Sequence, residues 1–148
     1  MKAFQFQLET VLNYKQQALD LLMTEHLALL ERVEAQTHVR DAACGQLADF
    51  ETAYTQKKSE GLTAVEALEC QSCIQVLEQQ VLQETQRLNT LQQMAEAKRL
   101  QILEARKGTF SLERLKEKKF EAYSDSFRKA EEAFLDDFAA ARRVMSST

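Results

Sequence analysis

The stretch "EGLTAVEAL", residues 60–68, is almost the only interruption in a chain of 148 residues that has no proline and three glycines. Gly61 can take the positive φ that closes a helix. Thr63 stands three residues before Glu66, the spacing at which each side chain satisfies the other's orphaned backbone N–H at a helix start. The segment therefore reads as a helix stop followed at once by a helix start, with a turn over about residues 58–63. A connection this short makes the two helices antiparallel neighbours, because their apolar stripes can meet only if the chain doubles back.

Working outward from that elbow, steps of four and three from Leu8 pass through Leu12, Lys15, Leu19, Leu22, His26, Leu29, Val33, Gln36, Arg40, Ala43, Leu47, Phe50 and Tyr54. This is a seam of period 3.5, the signature of a coiled coil, and it places a first helix over about residues 4–57. A second seam of the same period runs through Ala67, Cys70, Ile74, Leu77, Val81, Glu84, Leu88, Leu91, Ala95, Lys98 and Ile102. It belongs to a second helix over about residues 64–145. Pairing about residue 60 sets Phe50 near Cys70, Leu47 near Cys73, Ala43 near Leu77, Leu29 near Leu91 and Leu8 near Leu112. The expected fold is all-α, an antiparallel two-helix coiled-coil hairpin forming one domain over residues 1–148, with an extended C-terminal helix.

The elbow lies off centre, so the arms are unequal. If Met1 lies opposite about residue 119, the second helix runs on over about residues 120–145, on the order of 40 Å at 1.5 Å per residue. Along that overhang Phe120, Tyr123, Phe127, Ala130, Phe134, Phe138, Ala141 and Met145 recur at intervals of three and four. They give an aromatic face with no intramolecular partner in sight, and contiguous exposed apolar faces mark interaction sites. Gly108 qualifies this picture: a helical glycine costs about 1 kcal/mol relative to alanine, and Phe110, Leu112 and Leu115 look off the line extrapolated from Ile102. The helix either bends there, changes partners, or breaks and returns as a third helix.

Charge is uneven along the chain. Residues 1–97 carry a net −7, residues 98–119 a net +5 and residues 120–148 a net −2. The basic collar of Lys98, Arg99, Arg106, Lys107, Arg114, Lys116, Lys118 and Lys119 suits phosphates, membrane headgroups or an acidic protein ring, or is simply a solvated flank. Nucleic acid is disfavoured as a partner, since the chain is acidic overall and no aromatic stacking platform interleaves the collar. Direct membrane insertion is disfavoured too. No apolar run approaches the roughly 18 to 20 residues needed to span a bilayer, and the acidic overhang lacks the basic polar face of an interfacial helix. The opening "MKAFQFQLET" has neither the apolar run of a signal peptide nor the Arg/Ser bias of a transit peptide. A cytoplasmic setting with reduced Cys44, Cys70 and Cys73 is expected.

Site chemistry is sparse. Cys70 and Cys73 form a C-x-x-C inside a helix, without a second such pair, and the histidines, His26 and His38, lie on the other arm. A four-ligand zinc site cannot readily be assembled from these, and the thiols are expected to fill the seam near the elbow. His26 at a seam position reads as a packing or register residue. No phosphate-cradling glycine loop occurs, and a two-helix rod offers no concave, water-excluding pocket for a nucleophile and base. The expectation is a non-enzyme without cofactor or metal.

Several stretches carry a family resemblance. "FQFQLETVLNYK" (residues 4–15) resembles the aromatic-x-aromatic-x-Leu start of the FliJ family, the stalk component of the flagellar type III export apparatus. The elbow lies where that family turns, and "RKGTFSLERLKEKKFEAY" (106–123) with "FLDDFA" (134–139) resembles its C-terminal signature. The resemblance implies a helical hairpin similar to the central shaft of rotary ATPases. It would bind the hexameric export ATPase and promote its assembly, contact the membrane export gate, handle export chaperones, and sit peripherally at the cytoplasmic face of the cell membrane. On this basis Phe120, Tyr123, Phe127, Phe134 and Phe138 would meet the ATPase, with Arg106, Lys107, Arg114 and Lys118 at its ring mouth. Leu47, Phe50 and Tyr54, with Leu77 across the hairpin, match the family's gate-docking pattern near the elbow; an aromatic that members carry on the second arm falls here at Cys73. Competing readings are the stalk of a virulence-type secretion system, a self-associating structural coiled coil, or packing of those elbow residues in the seam alone.

Overall fold

The computed structural model describes residues 2–147 and consists, over those residues, of two helices: α1, Glu9–Glu60, and α2, Ala64–Ser146. They pack against each other as an all-α helical hairpin, with no strand among the described residues. The chain divides into two compact units, one of residues 21–102 and one of residues 1–20 with 103–148.

In the first unit the elbow is built as its residues dictate. Gly61 has φ +105°, a conformation that costs a residue with a Cβ roughly 1–2 kcal/mol. Its N–H donates to the Lys57 carbonyl at 3.0 Å, so α1 runs to Glu60, three residues past its expected end. The Glu66 N–H donates to Thr63 Oγ1 at 3.2 Å and the Thr63 N–H to Glu66 Oε2 at 3.5 Å, the reciprocal cap that starts α2.

From the elbow inward, Leu22, His26, Leu29, Val33, Gln36, Arg40, Ala43, Leu47, Phe50 and Tyr54 of α1 are buried or half-buried. The α2 positions from Ala67 to Ile102 at the expected spacing are likewise covered. The core is a single seam, with Leu29, Ala43, Tyr54, Leu88, Ala95 and Ile102 its most enclosed apolar residues. One layer is polar. Glu84 is buried; its carboxylate accepts from Gln36 Nε2 across the seam and from Arg87 at 2.6 Å along its own helix. Gln36 Nε2 also reaches the Glu84 carbonyl at 3.1 Å. Such a layer favours one register, since a slip takes the Gln36 amide away from the Glu84 carboxylate and carbonyl and leaves only the Arg87 donor on the same helix.

In the second unit the structure departs from expectation at four places. First, α1 begins at Glu9 rather than near residue 4. Residues 2–6 are non-helical, and the Glu9 N–H closes a turn onto the Phe6 carbonyl at 3.1 Å; no capping residue stands where a helix at Phe4 would need one. Second, the seam position expected for Lys15 belongs to Gln16, whose Nε2 donates to Glu113 Oε1 at 3.1 Å, while Lys15 is exposed.

Third, α2 is continuous through Gly108, which excludes a break and a returning third helix. The seam does not drift there: Ala105, Thr109, Leu112 and Lys116 carry on the three-four spacing, leaving Phe110 and Leu115 outside. Thr109, though buried, satisfies its hydroxyl on the Ala105 carbonyl at 3.0 Å. Fourth, the pairing at this end falls later along α2 than expected, with Phe4 against Phe120 and Leu8 lining a depression with Leu115 and Lys119. Met1, expected opposite residue 119, lies outside the described residues; the Lys2 carbonyl accepts from Tyr123 Oη at 2.8 Å.

Candidate docking surfaces

Beyond Tyr123 every described residue of α2 is exposed. A helix of this length gains little from propensity alone, yet this one is not polar all round. Phe134 is 69% and Phe138 61% exposed, with Leu135 and Val144 open beside them. Their polar neighbours are organised along the helix: Arg128 lies 3.6 Å from Asp125 and 4.0 Å from Glu132. These pairs sit one turn apart and contribute only a few tenths of a kcal/mol each.

The root of this segment differs from expectation. Phe120 and Tyr123, read as unpartnered, receive Phe4 of the N-terminal segment. Its ring meets Phe120 edge-on at 5.3 Å and Tyr123 at a tilt at 5.5 Å. Phe127 stacks on Tyr123 at 6.3 Å. The expected aromatic row therefore begins with intramolecular contacts and becomes open beyond Phe127.

The basic collar is less available than its count suggests. In the unit of residues 21–102, Lys98 binds Glu25 at 2.7 Å and Arg99 binds Glu96 at 2.7 Å. The Arg99 hydrogen bond holds the Glu96 carboxyl below the usual carboxylate range, and the same bond raises Arg99. In the other unit Lys116 binds Glu9 at 2.8 Å, and the Arg114 guanidinium lies 5.7 Å from the Phe110 ring centre. Lys107 and Lys118 are exposed.

Near the elbow, Tyr54 is buried, with Lys58 Nζ 4.2 Å from its ring centre, and Leu47, Phe50 and Leu77 are half-buried. All four pack in the seam, but Phe50 and Leu77 also reach the surface. With Ser72, Cys73 and Val76 they line an open apolar trough of about 390 Å³. Cys73, expected to fill the seam, is exposed, and Cys70 is half-buried. The C-x-x-C thus straddles the seam edge, because residues three apart on a helix differ by about 60° in direction. No group of three or more metal-ligating side chains occurs among the described residues, and no described helix is long and apolar enough to cross a membrane.

The family model described as "Flagellar FliJ protein" matches residues 4–146 of the 148. The chain belongs to the FliJ family. It is thereby a component of the flagellar export apparatus. No curated protein and no solved structure matches it. The match spans the elbow, the collar and the exposed end of α2 of this FliJ-family chain.

Proposed function

We propose that this FliJ-family chain binds the flagellar export ATPase and promotes assembly of its ring through the exposed end of α2. The observation that carries this reading is the run of exposed residues beyond Tyr123, in which Phe134 and Phe138 lie open to solvent. Large apolar side chains on a helix without a neighbouring helix are stable in water only at a cost, and a partner groove removes it. Phe120, Tyr123 and Phe127 extend that face toward the collar. Lys107, Arg114 and Lys118, with Arg106, supply positive charge for acidic groups at the ring mouth, where they speed encounter more than they tighten binding.

A second contact, with the export gate, belongs to the trough beside Phe50 and Leu77, with Leu47 and Tyr54 on the same seam of α1 near the elbow. Through these two surfaces the protein links the ATPase to the gate and to export chaperones, and is held peripherally at the membrane by its partners. Cys73 in the trough supplies less apolar area than an aromatic would, which weakens that contact. The test is copurification with the cognate export ATPase and measurement of ATP hydrolysis. The full chain should stimulate hydrolysis; a chain ending at residue 119 should remain helical and lose the stimulation. Equal stimulation by both would reject the assignment. A self-associating coiled coil uses the same open face, and there light scattering should show a salt-resistant dimer at micromolar concentration.

A further inference from the structure

The contact between the N-terminal segment and the root of the exposed helix has consequences for binding. Residues 2–6 are non-helical, and the turn onto Phe6 is the first backbone bond that ties the segment to α1. Its hold on α2 includes the Phe4 ring between Phe120 and Tyr123 and the hydrogen bond from Tyr123 Oη to the Lys2 carbonyl. Phe4 occupies the site as a knob occupies a hole: both neighbouring rings, one turn of α2 apart, face it at centroid distances of 5.3 and 5.5 Å. Around the knob the packing is loose. Open depressions lie on either side of the segment, one bordered by Glu9 and Lys116, the other by Leu8, Leu115 and Lys119.

We propose that residues 2–6 form a releasable clasp that fills, in the free protein, the first docking position of the aromatic row. Release of the clasp opens that position to a partner's side chain. The ligand chemistry follows from what the clasp presents: an aromatic or large aliphatic side chain, with a hydrogen-bond acceptor placed to take the Tyr123 hydroxyl. A partner helix running along Phe134 and Phe127 toward the collar meets Phe4 next, and must either stop there or replace it. Replacement exchanges two ring contacts and one hydrogen bond for equivalent ones, so the clasp is a competitor of low affinity held at high effective concentration by its short tether. The proposal rests on the reading of this face as the ATPase-binding surface.

Apparent affinity falls by the fraction of molecules in the competent state. A clasp closed nine-tenths of the time weakens binding roughly tenfold. The experiment compares the full-length wild type with Phe4→Ala and Tyr123→Phe for binding to the cognate export ATPase, with Phe134→Ala/Phe138→Ala as the control on the surface itself. Phe4→Ala should bind several-fold more tightly, Tyr123→Phe about as tightly as the wild type because clasp and partner lose the same hydrogen bond, and the control more weakly. Phe4→Ala binding no better than wild type, while the control loses affinity, would overturn the clasp and leave the docking surface standing.

A second measurement needs no partner. The chain has three tyrosines, and in tyrosine-labelled protein Phe4→Ala should move the Tyr123 ring resonances and leave those of Tyr54 in place. An unmoved Tyr123 means that the clasp is not seated, and the proposal fails. If neither wild type nor Phe4→Ala binds the ATPase, the functional reading falls, and the clasp is judged by the ring resonances alone.

Discussion

The elbow half of α2, from Ala67 to Ile102, and its exposed end, beyond Tyr123, are written in similar residues and have opposite fates. In the first, every third or fourth side chain is covered, and Leu88 retains 3% of its exposure. In the second, nothing is covered, and Phe138 retains 61%. Both have apolar residues at helical spacing. What separates them is the presence of α1: a stripe becomes a core only where a second stripe reaches it. The lesson is that apolar periodicity specifies a helix with one sticky face, and whether a second stripe lies against it decides whether that face is core or exposed.

The sharpest way to break this comparison is to delete one large apolar side chain from each region. Leu88→Ala should lower stability by about 2 kcal/mol or more, from lost burial and the cavity left behind. Phe138→Ala should change it by less than about 0.5 kcal/mol, as exposed substitutions do. Thermal unfolding followed by circular dichroism measures both. Equal losses would mean that the end of α2 is buried in the free protein.

Next in size is the elbow. Gly61→Ala places a Cβ at φ +105° with no atom within 4 Å of it, so its cost is backbone strain alone, about 1 kcal/mol. Thr63→Ala removes the cap acceptor and should also cost about 1 kcal/mol. Denaturant titration should show both, and a double variant should be less than additive because the two act on one turn.

Smaller in stability but larger in specificity is the polar layer. Replacing both members, Gln36→Leu with Glu84→Leu, should be neutral or mildly stabilising, since a satisfied polar pair gives way to apolar contact. The same change should let the helices slip, read as broadened resonances or altered cross-arm disulfide trapping. Removing the Lys116–Glu9 pair by Lys116→Ala should cost less than about 1 kcal/mol, an effect that added salt suppresses.

The least effect concerns Glu96. Its carboxyl is held low chiefly by the Arg99 hydrogen bond, so its contribution is present above the ordinary carboxylate pKa and fades as pH falls through the folded value. Glu96→Gln should therefore lower stability slightly at neutral pH and leave it unchanged in acid below the folded value, so that the acid side of the stability profile, measured by denaturant titration, flattens slightly.

Much of this was legible in the residues. Thr63 and Glu66 named the cap, and Gly61 the stop, because those side chains have few other uses at that spacing. The α2 seam could be read to Ile102 since its layers are mostly aliphatic. It was misread past Gly108: the large Phe110 and Leu115 drew attention from Thr109 and Lys116, which hold the inward positions, and packing on both sides outweighs one helical glycine. The α1 seam slipped by one residue at Lys15 because Lys15 and Gln16 are adjacent polar residues, and only the partner Glu113 decides between them. The start of α1 was read too early, as Phe4, Phe6 and Leu8 imitate an apolar stripe although they lie before the first helical turn.

Of the candidate sites, the open Phe134 and Phe138 were visible as surplus apolar residues without a facing arm. Phe4 was missed as the neighbour of Phe120 and Tyr123, although an aromatic-x-aromatic start that pairs with the stretch around residue 120 was a usable signal. The collar was overcounted, because charge runs do not reveal which lysines are taken by Glu9 and Glu25.

The most direct measurement is calorimetric titration of the cognate export ATPase with Phe134→Ser/Phe138→Ser, set against Leu27→Ser/Leu30→Ser. The control removes two comparably exposed residues, at 62% and 43%, from the outer face of α1. The account predicts a loss of affinity of roughly tenfold or more for the first pair, equivalent to about 1.4 kcal/mol, and none for the second. Equal affinities for both pairs and the wild type would contradict it.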